Sequence, residues 1–271
     1  MNNKPLVSVV VPTKNSTSTI EACLDSIKNQ VYKNIEIIVV DNNSSDNTKE
    51  IAKKFTIKVF NKGPERSAQR NFGALKAKGD YLLFIDSDME LTKNVIKDCI
   101  EKILKEKYKA LVIPEKSFGE GFWANCKALE RSFYVGVDWM EAPRFFLKSV
   151  FNEFKGYDLK QTGTEDFDLP QRIKVKFGNK VIGRISSFIV HNEGELSLMY
   201  TLKKKYYYAK TAQTYVKSNS KYFLRQANPM NRYILYFAKP QKLFKNPILG
   251  LGMLFMKTSE FIAGGLGSLL K

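Results

Sequence analysis

The sequence predicts an α/β fold built on an open, mostly parallel sheet flanked by helices. Residues 6–11 and 35–40 are β-branched runs ended by turn residues, and a helix-like stretch at 19–30 separates them, which makes a βαβ unit. Residues 81–85 form a short apolar run, typical of a strand buried on both faces of a parallel sheet. Strands and helices alternate in this way over the first hundred residues, and such sheets bind ligands at the carboxyl ends of their strands.

The other elements follow from capping residues and apolar patterns. Ser45 or Asp46 can cap the second helix, and residues 115–141 are less regular, so we assign their aromatic side chains to packing against the sheet. The remaining predicted elements are helices at 45–55, 67–76 and 91–106 and strands at 57–60, 110–114 and 180–190.

Composition sets the class of protein. With 271 residues, 44% of them hydrophobic, the chain can bury one substantial core and a small appendage. Its three cysteines form neither a CxxC pair nor a disulfide framework, which predicts a reducing, cytosolic setting. The first strand begins at Leu6 without the regions of a signal peptide, so we expect no export by the usual route.

The net charge of +17 is unevenly distributed. Residues 198–271 contain 13 Lys and Arg and a single acid, Glu260, so this segment carries +12. A basic segment of this kind can bind nucleic acid, an anionic membrane surface or an acidic substrate. The apolar content of this segment distinguishes among these three kinds of partner.

Two aspartates separated by one residue follow the strand at 81–85. Asp86 and Asp88, with Ser87 between them, present carboxylate oxygens of the kind that Mg²⁺ or Mn²⁺ prefers, and such a cation neutralises a diphosphate. An acidic turn that caps the next helix is the structural alternative.

Polar residues also follow the first two strands, where an open sheet would hold a nucleotide. A carboxylate there can accept hydrogen bonds from a base or ribose, while amides and hydroxyls supply neutral ones. Turn and capping chemistry is the alternative, and it explains a terminal Asp41 less well than its neighbours. The candidate residues are Pro12, Thr13, Asn15, Asp41 and Asn43.

A turn at Gly63-Pro64 opens the third helix, which begins with two arginines. Arg66 and Arg70 lie one helical turn apart, and Asn71 follows. One or both guanidinium groups could hold phosphate oxygens, and a solvated basic face remains the alternative for one of them.

Four sequence blocks together resemble family 2 glycosyltransferases, the inverting type with the GT-A fold. Their order and spacing extend over roughly the first 195 residues. The blocks are residues 9–15 (VVVPTKN), 39–46 (VVDNNSSD), 86–88 (DSD) and 164–172 (TEDFDLPQR).

The resemblance implies roles for these residues. Asp86 and Asp88 would form the DXD motif, which contacts ribose and metal, with Asp88 as the better metal ligand. Asp41 would read the base, and the segments around Pro12 and Arg66 would enclose the rest of the nucleotide. Members of the family commonly use UDP-sugars and some use GDP- or dTDP-sugars, so a UDP-sugar is the first expectation for the donor and the other two stay open. Residues 1–197 would then be the catalytic domain, with a nucleotide-sugar half at about 1–115 and an acceptor half at about 116–197.

Glu165 and Asp166 resemble the ED motif of the family, whose aspartate is the catalytic base. A sugar hydroxyl attacks only when a carboxylate takes its proton, and Asp166 is our candidate for that base. Glu165 could raise the proton affinity of Asp166 or orient the acceptor. An acidic helix start is the alternative, and a polyprenyl phosphate acceptor, already ionised, would need no base.

His191 is the single histidine of the chain and follows a strand-like run. Its position resembles that of a histidine that completes the metal site in many GT-A enzymes, and a neutral imidazole can bind Mn²⁺ beside aspartates. An ordinary surface or core histidine is the alternative.

Residues 198–271 mix lysines and tyrosines and then become apolar, an apolar load that nucleic-acid binding does not need. The run at 247–270 contains Lys257, Glu260, Pro247 and several glycines and is not a clean spanning helix. We therefore predict amphipathic helices that lie in the cytosolic leaflet against anionic lipid. Packing onto the catalytic domain, or a homodimer, is the alternative.

The sequence, together with the family resemblance, predicts a metal-dependent glycosyltransferase bound peripherally to the cytoplasmic face of the cell membrane. Inversion at the anomeric carbon is implied by the resemblance alone. The acceptor would be a polyprenyl or dolichyl phosphate, a lipid-linked oligosaccharide or another membrane-proximal group. One alternative is a nucleotidyltransferase, which usually has a Gly-rich loop after the first strand, whereas residues 12–18 contain no glycine. The other is a basic nucleic-acid-binding module.

Overall fold

The computed structural model describes residues 4–161, 163–211, 225–226 and 228–269, and they form two compact units. The first unit comprises Met1–Pro114, Ala142–Leu159 and Glu165–Val190, and the second comprises Glu115–Glu141, Lys160–Thr164 and His191–Lys271. The two units thus alternate along the chain. The division that we predicted at residue 197 remains a prediction.

The strands of the first unit are, in chain order, β1 Val7–Thr13, β2 Ile35–Asp41, β3 Val59–Asn61, β4 Tyr81–Phe84, β5 Met89–Leu91, β6 Ala110–Val112, β8 Pro143–Leu147 and β9 Ile182–Arg184, while β7 Glu115–Glu120 belongs to the second unit. Seven of them form one sheet with the order β3-β2-β1-β4-β8-β6-β9. The short strand β5 follows β4 along the chain.

Strand direction confirms the mostly parallel sheet. β1 pairs in parallel with β2 and β4, β2 with β3, and β6 with β9, whereas β8 runs antiparallel to both β4 and β6. The β8 strand was not predicted, because it is short and begins with a proline in a region without clear periodicity. It places Phe145 opposite Leu83.

Helices cover both faces of this sheet, and their apolar sides form two core clusters. Side chains of β1 alternate between them: Val9 and Val11 belong to one, and Val10 to the other. On the second face helix α3 comes close to β1, since a Cβ atom at Gly73 would lie 2.3 Å from Cγ1 of Val10. The helices of the first unit are α1 Ile20–Lys28, α2 Thr48–Lys53, α3 Arg66–Lys76, α4 Val95–Glu106, α6 Lys148–Glu153 and α7 Glu165–Phe177.

The second unit is mainly helical. Its core is made of buried apolar residues such as Cys126, Tyr236 and Met253. Strand β10, Ile189–Glu195, begins in the first unit and ends in the second. The other elements are β7 Glu115–Glu120, α5 Gly121–Ser132, α8 Leu198–Thr211, α9 Pro229–Phe237, α10 Pro240–Leu243 and α11 Pro247–Leu269.

A buried group of four charges joins α11 to α5. Lys257 Nζ lies 2.5 Å from Glu130 and 2.7 Å from Glu260. Lys127 Nζ lies 2.6 Å from Glu130 and 2.5 Å from Glu260. Lys257 and Glu260 interrupt the apolar run in the sequence, but in the structure both side chains point inward. They pair with each other and with the opposite charges of α5, Lys257 with Glu130 and Glu260 with Lys127.

Within the described part of the chain, no helix has the length and apolar character needed to cross a membrane. The predicted C-terminal region also includes residues 212–224, 227 and 270–271, which lie outside the described residues.

Candidate active site

The Asp86-Ser87-Asp88 triplet lies in the turn between β4 and β5. Nη2 of Arg70 donates a 2.7 Å hydrogen bond to Oδ1 of Asp86. Oδ2 of Asp86 faces two further guanidinium groups, with Nη1 of Arg144 at 3.5 Å and Nη1 of Arg66 at 3.7 Å. The carboxylate is thus held by three arginines.

These arginines govern the ionisation of Asp86. Burial of the carboxyl group would raise its pKa, but the charges of Arg70, Arg144 and Arg66 outweigh burial and hold the pKa of Asp86 well below its usual range. Asp86 therefore stays ionised at every physiological pH, as a cation ligand must.

Arg70 connects this turn to the start of α7. Its side chain is 0% exposed. Its Nη1 donates a 2.7 Å hydrogen bond to Oδ1 of Asp166 and lies 3.7 Å from Glu165, and its guanidinium sits over the Tyr157 ring, 5.5 Å from the centroid. Both terminal nitrogens of Arg70 are thus hydrogen-bonded to carboxylates. Arg66 is therefore the better candidate for the phosphate contact that the sequence predicts.

The two acidic residues at the start of α7 differ in environment. The Glu165 side chain is 2% exposed and that of Asp166 is 30% exposed. Burial and the neighbouring charge of Asp166 raise the pKa of Glu165, although Arg70 opposes them. Asp166 is therefore the carboxylate that an acceptor can reach.

The loops after β1 and β2 are bonded to each other. Oδ1 of Asp41 accepts from the backbone N–H of Ser44 at 2.8 Å, so this carboxylate takes part in the turn that follows β2. Asn15 N–H donates to Ser44 Oγ at 2.8 Å, and Asn15 Oδ1 accepts from Ser45 N–H at 2.9 Å. Asn15 and Asn43 both have a left-handed backbone, with φ of 49° and 50°.

A buried glutamine that sequence reasoning missed fixes the ends of these strands. Gln69 Nε2 donates to the carbonyl oxygens of Thr13, at 2.9 Å, and Val40, at 2.6 Å. Pro12 and Thr13 are themselves buried, and the Thr13 hydroxyl has no hydrogen-bond partner among the described residues. Such an orphaned hydroxyl at a strand end is available to a ligand.

The remaining predicted residues have local partners. Ser87 Oγ donates to Ser16 Oγ at 2.8 Å. The Asn71 amide accepts from the Tyr157 N–H at 2.9 Å and donates to its carbonyl oxygen at 2.8 Å, so the structure uses Asn71 to hold the backbone beside Arg70. The amide that we predicted to contact the nucleotide is thus engaged by the protein.

Arg144 is the charged residue near Asp86 that the sequence analysis did not single out. It lies on β8, and its side chain is 12% exposed. The available signal was one arginine inside the run Pro143–Leu147, whose other residues are apolar.

His191 belongs to the second unit, on β10. Its Nδ1 lies 3.5 Å from Glu115 and 3.8 Å from Glu193, and Arg131 forms an ion pair with Glu193. The predicted role of His191 in metal binding remains a prediction.

The donor atoms of the triplet suit a divalent cation. Across the described ranges, no group of three or more His, Cys, Asp or Glu side chains is placed to hold a metal. Mg²⁺ is commonly held by one or two carboxylates together with substrate phosphates and water, and Asp86 and Asp88 supply two carboxylates. These residues therefore fit a cation that arrives with a diphosphate.

Comparison with known proteins adds three findings. The family model for glycosyl transferase family 2 matches residues 8–159. A GalNAc(5)-diNAcBac-PP-undecaprenol beta-1,3-glucosyltransferase of Campylobacter jejuni is 35% identical over 108 residues, which are 36% of this chain and 34% of that protein. The chain spans less than half the length of the first curated relatives it matches, 17% and 44%.

Two solved structures share the fold. The mannosyltransferase PcManGT of Pyrobaculum calidifontis, in complex with GDP-Man and Mn²⁺, superposes with a TM-score of 0.66 at 15% identity, covering 99% of this chain and 88% of that one. Residues 1–349 of S. aureus TarS, in complex with UDP-GlcNAc, superpose with a TM-score of 0.59 at 18% identity, covering 97% and 90%. At these identities the likeness establishes the fold.

Proposed function

Because the chain belongs to glycosyltransferase family 2, we propose that it transfers a sugar from a UDP-sugar, with Mn²⁺ or Mg²⁺, to a lipid-linked acceptor, with inversion at the anomeric carbon. The observation that carries this proposal is the connection from Asp86 through Arg70 to Asp166. This connection links the Asp86 turn, on the proposed donor side, to Asp166, the candidate base on the proposed acceptor side. Arg70, Asp86 and Asp166 all belong to the first unit.

The residues of the site have separate roles in the proposed reaction. Asp86 and Asp88 would hold the cation, which supplies positive charge to the donor diphosphate. Asp166 accepts the proton of an acceptor hydroxyl, and the freed oxygen attacks the anomeric carbon from the side opposite the diphosphate. Arg70 holds the Asp166 carboxylate in place through its hydrogen bond to Oδ1, and Oδ2 is the oxygen that we propose takes this proton.

The choice of donor and acceptor rests on the relatives. UDP-GlcNAc is bound in the TarS structure and GDP-Man in the PcManGT structure. We propose a UDP-sugar as the donor, and a GDP-sugar is the alternative to test against it. The name of the Campylobacter relative contains an undecaprenol diphosphate, which supports a lipid-linked acceptor. The comparisons give no support to a nucleotidyltransferase or a nucleic-acid-binding module.

A membrane surface is the proposed location of this reaction. Helix α11 exposes an apolar stripe whose members recur every three, four or seven residues, so they share one helix face. Lys239 and Lys245 are exposed in the segments just before this helix and can meet anionic lipid. The stripe consists of Ile248, Leu251, Phe255, Ile262 and Leu266, each more than half exposed.

The buried charges of α11 support the same proposal. Since Lys257 and Glu260 are paired inside the second unit, the outward face of the helix keeps its apolar character. A face of this kind can lie in the interface between headgroups and acyl chains without spanning the bilayer.

The experiment that tests the proposed reaction is a screen of UDP-, GDP- and dTDP-sugars for release of nucleoside diphosphate, with Mn²⁺ or Mg²⁺ and with a polyprenyl phosphate or lipid-linked sugar in detergent. We expect one donor to be turned over in a cation-dependent manner and the Asp88→Asn variant to be inactive. Absence of turnover with every donor would contradict the proposal.

A further inference from the structure

The buried side chain of Gln69 joins the ends of two neighbouring strands. Gln69 lies in α3 and is 3% exposed. Its amide nitrogen Nε2 donates hydrogen bonds to the carbonyl oxygen of Thr13, at 2.9 Å, and to that of Val40, at 2.6 Å. Thr13 is the last residue of β1, and Val40 is the last but one of β2. One amide group thus fixes the separation of the two strands at their carboxyl ends.

These two carbonyl groups lie where the loops after β1 and β2 begin. Thr13 stands opposite Asp41 in the parallel pair, and its carbonyl oxygen also accepts a hydrogen bond from the backbone N–H of Asn42 at 2.9 Å. Asn15 follows in the first loop, and Asn15 and Asp41 are both residues that we predict to contact the nucleotide. A displacement of the Gln69 amide would therefore move the two loops relative to each other.

Arg70, the next residue of α3, serves a different part of the site. Consecutive helical residues point about 100° apart around the helix axis, so their side chains do not share a face. Arg70 is bonded to Asp86 and Asp166, whereas Gln69 is bonded to the strands that carry the candidate nucleoside loops. Two adjacent residues of one helix thus hold two separate sets of groups.

We propose that Gln69 is a positioning residue for the nucleoside of the donor: it fixes the loops after β1 and β2 at the separation that the nucleoside needs, without itself touching the donor. This inference rests on the proposed function. The nucleoside takes no part in the bonds that form and break, so contacts to it are equally strong in the bound donor and in the transition state. Loss of such uniform binding raises KM and leaves kcat unchanged.

Steady-state kinetics and calorimetry test this role in Gln69→Met, which removes both hydrogen bonds and keeps the length of the side chain. Kinetics use the nucleotide sugar that the wild type turns over among UDP-, GDP- and dTDP-sugars. Calorimetry uses UMP and UDP with Mn²⁺, and the guanosine and thymidine sets in parallel. The matched control is Gln30→Met, because Gln30 is also buried in the first unit and its Nε2 donates to two carbonyl oxygens, of Ser26 at 3.1 Å and of Thr92 at 2.9 Å.

We expect Gln69→Met to raise the donor KM about tenfold, the factor that corresponds to a hydrogen bond of ordinary strength, while kcat stays within about twofold. The nucleoside mono- and diphosphate should lose affinity by the same factor, because the two loops hold the part that both ligands share. Gln30→Met should keep the wild-type KM even though urea unfolding shows a similar loss of stability. Gln69→Asn, whose shorter side chain reaches one carbonyl at most, should give a smaller rise in KM and serves if Gln69→Met does not fold.

An equal rise in KM in Gln69→Met and Gln30→Met would overturn the inference, because the effect would then follow from lost stability rather than from the loops. A lower kcat with an unchanged KM, or kinetics identical to those of the wild type, would overturn it as well. Failure of the proposed function is a separate result, since the wild type itself would then turn over no nucleotide sugar.

Discussion

Arg70 and Asp166 are 96 residues apart in the chain, and Nη1 of the arginine donates a 2.7 Å hydrogen bond to Oδ1 of the aspartate. Arg70 is also bonded to Asp86 at the same distance. One buried side chain thus sets the positions of two carboxylates to which the proposed reaction assigns different roles.

Replacement of Arg70 by lysine tests this connection. A single ammonium group cannot serve both carboxylates as the guanidinium fork does, so Asp86 or Asp166 loses its partner. We expect Arg70→Lys to fold and to have a kcat about a hundredfold lower, because small displacements of reacting groups cost this much. Steady-state rates of nucleoside diphosphate release measure the effect, with Arg184→Lys as control. A wild-type kcat in Arg70→Lys would show that the connection has no role in transfer.

Asp166 and Glu165 should respond differently to loss of charge. Asp166→Asn removes the proposed base, so sugar transfer to a hydroxyl should fall about 10²- to 10⁴-fold while nucleotide binding is retained. Glu165→Gln should cost little stability, because burial raises the pKa of Glu165, so the folded state disfavours the charge that the substitution removes. Transfer rates and urea unfolding curves of the two variants provide the test. Unchanged transfer in Asp166→Asn would remove this residue from catalysis.

The Asp86 carboxylate should make the free energy of unfolding depend on pH in the acidic range. Since the arginines lower the pKa of Asp86 in the folded chain, its ion pairs stabilise the fold above the unfolded-state pKa of about 3.9 and that contribution is lost as the pH falls towards the folded pKa. The free energy of unfolding, measured by urea titration at a series of pH values, should decrease below about pH 5. The decrease should be smaller in Asp86→Asn, and an identical pH dependence in both proteins would refute the ion pairs.

Removal of one of the buried charges between α5 and α11 should strongly destabilise the fold. Lys257→Met removes one of the two lysines that form ion pairs with both Glu130 and Glu260, and breaking a buried pair in this way costs about 3–5 kcal/mol. Thermal or urea unfolding measures the loss. The control is Lys97→Met, which breaks an exposed pair with Glu101 on α4 and should leave the unfolding curve unchanged. Equal curves for both variants would disprove the network.

The apolar stripe of α11 should decide membrane binding. The double variant Leu251→Glu/Phe255→Glu places two carboxylates on the face proposed to enter the lipid, so binding to vesicles that contain anionic phosphatidylglycerol should be lost. Ile57→Glu, which changes an exposed apolar residue of the first unit, is the control and should bind like the wild type. Vesicle flotation at several salt concentrations measures both. A wild-type dimer that does not float would favour the alternative that this face joins two copies.

Local patterns explain why much of the fold was predictable. The strands at Val7, Ile35 and Tyr81 are continuous apolar runs, and their periodicity depends only on neighbours in the chain. The turn with Asp86 and Asp88 followed from the end of such a run, and the family resemblance supplied its chemistry.

The partners of these residues were not predictable, because they come from distant segments. Nothing near Arg70 in the chain indicates that Asp166 accepts its hydrogen bond, and Arg144 lies on a strand that periodicity did not reveal. Lys257 and Glu260 looked like interruptions of an apolar surface, whereas their partners Glu130 and Lys127 lie more than a hundred residues earlier and draw them inward.

Calorimetric titration of the wild type and Asp88→Asn with UDP, GDP and dTDP, each with Mn²⁺ and with EDTA, tests whether the acidic turn binds a cation together with a diphosphate. We expect one nucleoside diphosphate to bind the wild type in the presence of Mn²⁺, and EDTA or the Asp88→Asn substitution to abolish its binding. Equal affinity with and without the cation, or no binding of any of the three nucleotides, would show that the proposed site does not exist.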